Sequence, residues 1–371
     1  MILRNKCISV IVPTRNRSFL LDKALQSLCQ QTIDSYEFET VVVDNGSTDN
    51  TKEIVNKYKS LLPHLKYLYE SAPGLHAGRH RGFLESHGDI LVYADDDIQA
   101  FPTWLATIKQ CFQNSDVVMV GGKNLPHFES YPPIWLQYMW KPPSSSDRIL
   151  GYLSILDLGD EPKIVSPSLI FGCNFSIRRH ILEEAGGFHP DGMPQHLIRY
   201  RGDGESYVSQ YVFSKKYKTL YHPDASVYHW VPTSRMTVGY FCRRAYNQGI
   251  SDSYSQLRRA HGLSPQLNVD SLETSEITPS FSLKTTINHW FRREPLISVT
   301  TKVLKKIISL YFHQSASLFS IELEQVQCEI QAAYKAGYIF HQKETMNDSV
   351  LLSWVLKPTY WDYCLPKNSI T

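Results

Sequence analysis

Nearly continuous apolar runs and amphipathic stretches alternate along residues 7–120. Cys7–Val12 (CISVIV) has the pattern of a strand buried on both faces, and Pro13 stops it. Leu20, Leu21, Ala24, Leu25 and Leu28 recur at helical spacing and predict an amphipathic helix over Ser18–Gln31. Phe38–Val43 reads as a second buried strand running into the turn-rich Asp44-Asn-Gly-Ser-Thr-Asp49. Ile54, Val55, Tyr58, Leu61 and Leu62 mark a second helix, capped by Thr48 or Asp49. Further strands are predicted at Lys66–Glu70, Ile90–Ala94 and Val117–Val120. Pro102 opens a third helix that turns Trp104, Leu105, Ile108 and Phe112 inward. This rhythm predicts an α/β fold with a mainly parallel, Rossmann-like sheet flanked by helices. In such sheets ligands bind beyond the carboxyl ends of the strands.

The pattern weakens over residues 125–170, where Pro126, Pro132, Pro133, Pro142, Pro143 and Ser144–Ser146 interrupt it. That stretch reads as a long excursion over the surface. Strand-like text returns over Ile164–Ile177, followed by short helices at Ile181–Ala185 and Glu205–Lys216 and a strand within Lys218–Tyr228. After His229 the pattern turns helical, at Tyr240–Ser251, Thr300–Ser309, Ile321–Gly337 and Ser349–Val355, with a polar linker over Ser264–Thr285. Two regions are therefore expected: an α/β domain over residues 1–235 and a mostly helical C-terminal extension over 236–371.

Charge excludes one class of function. With 38 Lys+Arg against 36 Asp+Glu the net charge is +2, too balanced for a polybasic nucleic-acid binder. A hydrophobic content of 42% provides enough apolar surface to order most of the chain. No run approaches the ~20 apolar residues of a spanning helix, and the N-terminus shows no signal-peptide core. Seven scattered cysteines form no Cys-x-x-Cys pair, which speaks for a reducing, cytoplasmic setting.

Four polar clusters follow the predicted strands. Asp95-Asp96-Asp97 places three carboxylates in sequence; they repel one another, and a divalent cation is the natural compensation. In extended chain Asp95 and Asp97 point one way and Asp96 the other. Pro13-Thr-Arg-Asn16 and Asp44-Asn-Gly-Ser-Thr-Asp49 each read as a nucleotide-cleft lining or as an ordinary loop with a helix cap. Gly74-Leu-His-Ala-Gly-Arg79-His-Arg81-Gly brings two cations toward the acidic triplet, as phosphate ligands or as a solvated helix face.

Taken in order, ISVIVPTRNR (8–17), VVVDNGSTDNT (41–51), PGLHAGRHRG (73–82), ILVYADDDI (90–98), FGCNFSIRR (171–179), GGF (186–188), GDGESY (202–207) and HPDASVYH (222–229) resemble the family 2 glycosyltransferases, which have the GT-A fold. The resemblance implies transfer of a sugar from a nucleotide sugar, a UDP-sugar being the expected donor, with inversion at the anomeric carbon. It implies that Pro13, Thr14, Arg15, Asp44, Arg79, Asp95 and Asp96 surround the nucleotide. Asn174 would face the donor sugar or acceptor. Asp97, with Asp95 and His229, would ligate a divalent cation, Mn²⁺ or Mg²⁺, and His222 is a weaker ligand candidate. The general base falls on Gly202-Asp-Gly-Glu205. The family often reads Glu-Asp where this chain has Glu205-Ser206, so the base is Glu205 or Asp203, with Glu205 favoured. His80 is a further departure, at a position where relatives often carry Asn. Trp104, Trp135 and Trp140 are candidates for stacking on sugar rings or for packing.

The expected acceptor is a glycan or a lipid-linked glycan, in assembly of a surface polysaccharide or other glycoconjugate. Arg243-Arg244, Arg258-Arg259, Arg292-Arg293 and Lys302-Val-Leu-Lys-Lys306 lie beside apolar residues. They suit either peripheral contact with an anionic membrane at its inner face or ordinary helix packing. Two rivals stay open: a sugar nucleotidyltransferase, whose Gly-rich phosphate loop with lysine is replaced here by Pro13-Thr-Arg-Asn16, and a glycosyltransferase-like domain that only binds.

Overall fold

A computed structural model describes residues 8–140, 147–265 and 299–366, with side chains of 299–322 left undescribed. The first half follows the expected alternation. Strand β1 (Ile8–Thr14) leads to α1 (Ser18–Leu28), β2 (Phe38–Asp44) to α2 (Thr51–Tyr58), β3 (Leu65–Tyr69) to α3 (Leu75–Glu85), and β4 (Ile90–Ala94) to the short β5 (Ile98–Ala100) and α4 (Trp104–Cys111). Then come β6 (Val117–Gly121), β7 (Asn124–Phe128), α5 (Ile134–Trp140), β8 (Arg148–Leu150), β9 (Ile155–Asp157), β10 (Lys163–Ile164), β11 (Asn174–Arg178) and α6 (Arg179–Ala185). The chain continues through α7 (Ser206–Ser214), β12 (Lys218–Tyr221), β13 (Val227–Val231), α8 (Val238–Ala260), α9 (Val299–Asn347) and α10 (Ser349–Val355).

Eight strands form the main sheet in the order β10-β12-β6-β11-β4-β1-β2-β3. Strands β1, β2, β3 and β4 are mutually parallel where they pair, as are β6 and β12. β11 runs antiparallel between β4 and β6, and β10 antiparallel to β12. β1 and β2 are buried along their whole length because helices cover both faces. On one face α3 comes so close to β1 that a Cβ on Gly82 would lie 2.3 Å from Ile11 Cγ2. The absence of a side chain there lets α3 lie flat on the strand and carries Arg79 to the strand ends.

Residues 125–170 depart from the expected surface excursion. β7, β8 and β9 join β5 and β13 in a second sheet, ordered β5-β13-β7-β9-β8. Pro126 is tolerated because β9 pairs with β7 only at Asn124, which leaves the missing N–H without a ladder partner to serve. Trp135, Leu136 and Trp140 pack inward against Phe241, Ala245, Val326 and Ile330 of α8 and α9. The expected helices at Thr300–Ser309 and Ile321–Gly337 are parts of one helix, α9. Most of the expected linker, from residue 266 onward, lies outside the described residues. The six described cysteines are unpaired.

The C-terminal helices return to the α/β body. α8 and α10 build a core of Tyr254, Leu351, Trp354, Val355 and Tyr360 around Met193, Leu197 and Tyr200. Arg258, part of a basic cluster that suggested membrane contact, is fully buried and donates to the carbonyls of Val355 and Lys357.

One buried charge links this fold to pH. Glu39 of β2 accepts from Ser9 Oγ (2.7 Å) and the His87 amide and pairs with Lys66 at 3.0 Å. Burial disfavours its charge, but these donors outweigh burial and hold the carboxyl down, at about 2 instead of 4.5. A depressed acid stabilises above its unfolded pKa, and that stability is lost as pH falls from about 4.5 toward about 2. The Glu39 contribution is on the order of 3 kcal/mol. Urea unfolding should therefore show wild-type stability falling through this window, with a visibly shallower fall in Glu39→Gln. The same pH slope in both proteins would refute the assignment.

Candidate functional site

The site lies where the topology puts it, at the carboxyl ends of β4, β1 and β2. β4 ends at Ala94 and delivers Asp95, Asp96 and Asp97 directly. Asp96 and Asp97 are 4% exposed and therefore need compensating partners. Thr14 Oγ1, at the end of β1, donates to Asp96 Oδ2 at 2.7 Å. Arg17 Nη1 reaches Asp96 Oδ1 at 2.9 Å and Asp97 Oδ2 at 3.1 Å. Arg235, just beyond β13, adds Nη2 at 3.0 Å from the same Asp97 Oδ2. His229 projects inward from β13, its Nε2 3.2 Å from Asp97 Oδ1.

Burial raises the carboxyl pKa values here, and the partners differentiate them. At Asp95 burial and the neighbouring Asp97 win, and the pKa goes up. Asp96 is pushed up to about 6 by burial, despite Arg17. At Asp97 burial is outweighed by His229, Arg235 and Arg17, which hold the carboxyl well below the usual range.

One ligand atom from each of Asp95, Asp97 and His229 lies within 4.8 Å of the others. Asp97 Oδ1 is buried with only the His229 ring nitrogen beside it, and His229 Nδ1 is buried without a hydrogen-bond partner among the described residues. Two carboxylates and an imidazole suit Mn²⁺ or a similar divalent ion, so the residues present fit the cation.

Arg79 connects this acidic end to a second carboxylate. Its buried guanidinium places Nη1 3.0 Å from Glu205 Oε2 and Nη2 4.0 Å from Asp95 Oδ1. Burial disfavours this charge, but Glu205 and Asp95 more than compensate. The Gly172 amide donates to Glu205 Oε1 at 3.3 Å, and the Gly172 carbonyl accepts from Arg79 Nη2 at 3.4 Å. A Cβ at position 172 would stand 2.3 Å from Arg79 Nη2 and 2.8 Å from Glu205 Oε1, so a side chain there would displace the pair from this arrangement.

Residues 9–186 match the model of the family described as Glycosyl transferase family 2. Residues 9–186 are a family 2 glycosyltransferase domain. A glycosyltransferase, AglE, from Haloferax volcanii is 28% identical over 192 residues, covering 52% of this chain and 57% of that protein. Validoxylamine A glucosyltransferase from Streptomyces hygroscopicus subsp. jinggangensis is 34% identical over 103 residues, covering 27% of this chain and 24% of that protein. The chain thus spans about half the length of the first relative and a quarter of the second. A mannosyltransferase from Pyrobaculum calidifontis, solved with GDP-Man and Mn²⁺, has 17% identity and a TM-score of 0.53 over 88% of this chain and 86% of that one. The fold is GT-A, with a helical C-terminal region.

The residues expected at the site separate into groups. Asp95, Asp96, Asp97, Thr14, Arg79, His229 and Glu205 converge. Pro13 packs under α3 and Arg15 is exposed at the rim. Asp44, at the end of β2, accepts from Tyr67 Oη at 2.7 Å and the Ser47 amide at 2.7 Å. The side chain of Asn174 is not brought to the cleft. It is 1% exposed, its carbonyl accepts from Trp104 Nε1, and its amide donates to Asn124 Oδ1 and the Ala225 carbonyl. Trp104, Trp135 and Trp140 are buried packing residues. His222 stays outside the cation group, its Nδ1 taking the Asp224 amide.

Asp203 also differs from Glu205. Its Oδ1 is 2.6 Å from His189 Nδ1 and its Oδ2 accepts from Ser255 Oγ at 2.6 Å. Its side chain is 4% exposed, against 27% for Glu205. Sequence reasoning missed Arg17, Arg235 and Gly172. Arg17 lay inside the quoted first motif, but nothing local marks Arg235, whose partner is far away in sequence.

Asp97→Asn should weaken Mn²⁺ binding more than about tenfold, read by isothermal calorimetry. Unchanged Mn²⁺ affinity would remove Asp97 from the cation site.

Proposed function

We propose that this chain is a metal-dependent inverting glycosyltransferase that moves a sugar from a nucleotide sugar to a hydroxyl of a glycan or lipid-linked acceptor. The observation that carries the reading is the Arg79 bridge, which holds Glu205 on one side and faces Asp95 on the other. A base for the attacking hydroxyl and the carboxylates that would hold a cation against the leaving diphosphate thereby sit a single guanidinium apart. The relatives named as glycosyltransferases support the class.

In this mechanism Glu205 accepts the acceptor hydroxyl proton as that oxygen bonds to the anomeric carbon. The bond from the anomeric carbon to the diphosphate oxygen breaks, and its electron pair leaves with the nucleoside diphosphate. One displacement inverts the centre without a covalent enzyme intermediate. Arg79 and the Gly172 amide hold the two Glu205 oxygens in place, which fixes the base before substrate arrives. Asp95, Asp97 and His229 would hold the divalent cation. When bound, that cation supplies charge neutralisation for the leaving diphosphate. Arg17 and Arg235 fix Asp97 through Oδ2 and leave Oδ1 facing His229.

A role in surface polysaccharide or glycoconjugate assembly, at the cytoplasmic face of a membrane, completes the proposal. No described helix is long and apolar enough to cross a membrane. Peripheral contact would rest on Arg243 and Arg244 of α8 and on basic residues outside those whose side chains are described.

Glu205→Gln should lower sugar transfer by about 10²–10⁴-fold, as expected for loss of a general base. If Asp203→Asn matched that loss while Glu205→Gln stayed active, the base assignment would be wrong. Gly172→Ala should cost about 10²-fold in turnover with the fold retained by circular dichroism, because it separates Arg79 from Glu205. Near wild-type turnover in Gly172→Ala would show that this geometry does not control the reaction.

A further inference from the structure

The C-terminal tail reaches the opposite end of the strand-end cleft from the acidic triplet. The neighbouring strands run in the order β4-β1-β2-β3. At about 4.8 Å per strand, the distance from the β4 end to the β3 end is ~14 Å, within reach of an extended nucleoside diphosphate. With the diphosphate near Asp95 and Asp97, the ribose lies over β1 and β2, and the base over the ends of β2 and β3.

That last position is built from hydrogen-bonding groups. Asp44 ends β2, and the Asn45 amide holds the Glu70 and Ala72 carbonyls at 3.1 and 2.6 Å. Glu70 follows β3, with Oε1 accepting the Ala72 amide at 2.8 Å. Its other oxygen, Oε2, accepts from Tyr363 Oη at 2.7 Å, across 293 positions of sequence. Tyr69 stands beside it, 59% exposed.

The tail that presents Tyr363 is anchored on both sides. Tyr360 is fully buried and donates to the Trp354 carbonyl at 2.6 Å. The Trp361 ring lies 4.5 Å from His80 and 4.7 Å from Phe83 of α3. Leu365 packs onto the core formed by α8 and α10. Tyr363 itself is half-buried, its ring 6.3 Å from His76 and 6.1 Å from His80. A fixed backbone thus carries a partly open aromatic ring and a hydroxyl to the carboxylate beside Asp44.

We propose that Tyr363, acting with Glu70, forms the outer wall of the pocket for the base of the nucleoside diphosphate, and so sets base selectivity from the C-terminal tail. This rests on the nucleotide-sugar reading of the site. Recognition of a base edge needs hydrogen-bonding groups fixed in the plane of the ring. Glu70, partly open and held by the Ala72 amide and Tyr363 Oη, supplies a fixed acceptor. Asp44 is buried and braces the turn beside it through the Ser47 amide and Tyr67 Oη. Tyr363 is a specificity residue remote from the reacting bond, so its loss should affect donor binding more than turnover.

The test is isothermal calorimetry of the full chain with Mn²⁺ and, separately, UDP, GDP, CDP, ADP and inorganic pyrophosphate. Pyrophosphate probes the diphosphate and cation end alone. Tyr363→Ala should weaken the tightest nucleoside diphosphate about fivefold to tenfold and narrow its lead over the others. Pyrophosphate affinity should stay unchanged. Tyr363→Phe should show a smaller loss in the same direction, and it decides the matter if Tyr363→Ala fails to fold. Unchanged nucleotide affinity and selectivity would overturn the role of the tail, as would an equal loss for pyrophosphate. If the wild-type protein bound none of the nucleotides, the donor reading itself would fall.

Discussion

Three consecutive buried or half-buried carboxylates at the end of β4 make the strongest demand in this structure. Left alone they would repel and could not stay charged away from water. Each surrounding element answers that demand with a cation or a donor. The turn after β1 gives Thr14 and Arg17, α3 gives Arg79, β13 gives His229, and the turn after β13 gives Arg235. The second sheet exists, in functional terms, to bring β13 across the mouth of the first. Its strand β5 follows directly from the acidic triplet and pairs with β13 at Ile98–His229.

Arg79 extends the same constraint to the other side of the cleft. Its one guanidinium pairs with Glu205 at 3.0 Å and faces Asp95 at 4.0 Å, so one cation lies between the two carboxylates. The tight approach of α3 to β1 at Gly82 and the bare backbone of Gly172 are the steric conditions for this sharing. Asp203, two residues from Glu205, follows a different course. His189 and Ser255 of α8 take both of its oxygens, so it ties the Gly202–Glu205 loop to the C-terminal helices. The helical region is therefore part of the machinery that positions the loop.

The parts legible in the sequence were those with strong local signatures. β1, β2 and β4 are short apolar runs because both faces are covered, and the Asp95–Asp97 triplet stands out because adjacent carboxylates are costly. Residues 125–170 were misread because their strands are only two to five residues long and are stabilised by distant partners, β13 above all. Arg235 carries no local mark, and Gly172, though inside the quoted FGCNFSIRR stretch, gives no hint of its partners, which are far off in sequence. For Arg258 the sequence left membrane contact and helix packing open, and the fold shows packing. Beside Arg259 it looks like a surface charge, yet it lies within an aromatic cage of Tyr207, Tyr254 and Tyr360. What separates Glu205 from Asp203 is visible only in the fold, because two carboxylates two residues apart differ only in what surrounds them.

The most direct test of the account is release of free nucleoside diphosphate from a panel of nucleotide sugars by purified protein, with Mn²⁺, Mg²⁺ or EDTA. The acceptor need not be known if the enzyme slowly passes its sugar to water. The account predicts cation-dependent release from one donor, abolished by EDTA and by Asp97→Ala. Release that persists in EDTA at full rate would contradict the assignment of Asp95, Asp97 and His229 to a required cation. No release and no binding of any donor would contradict the transferase reading and leave the non-catalytic alternative.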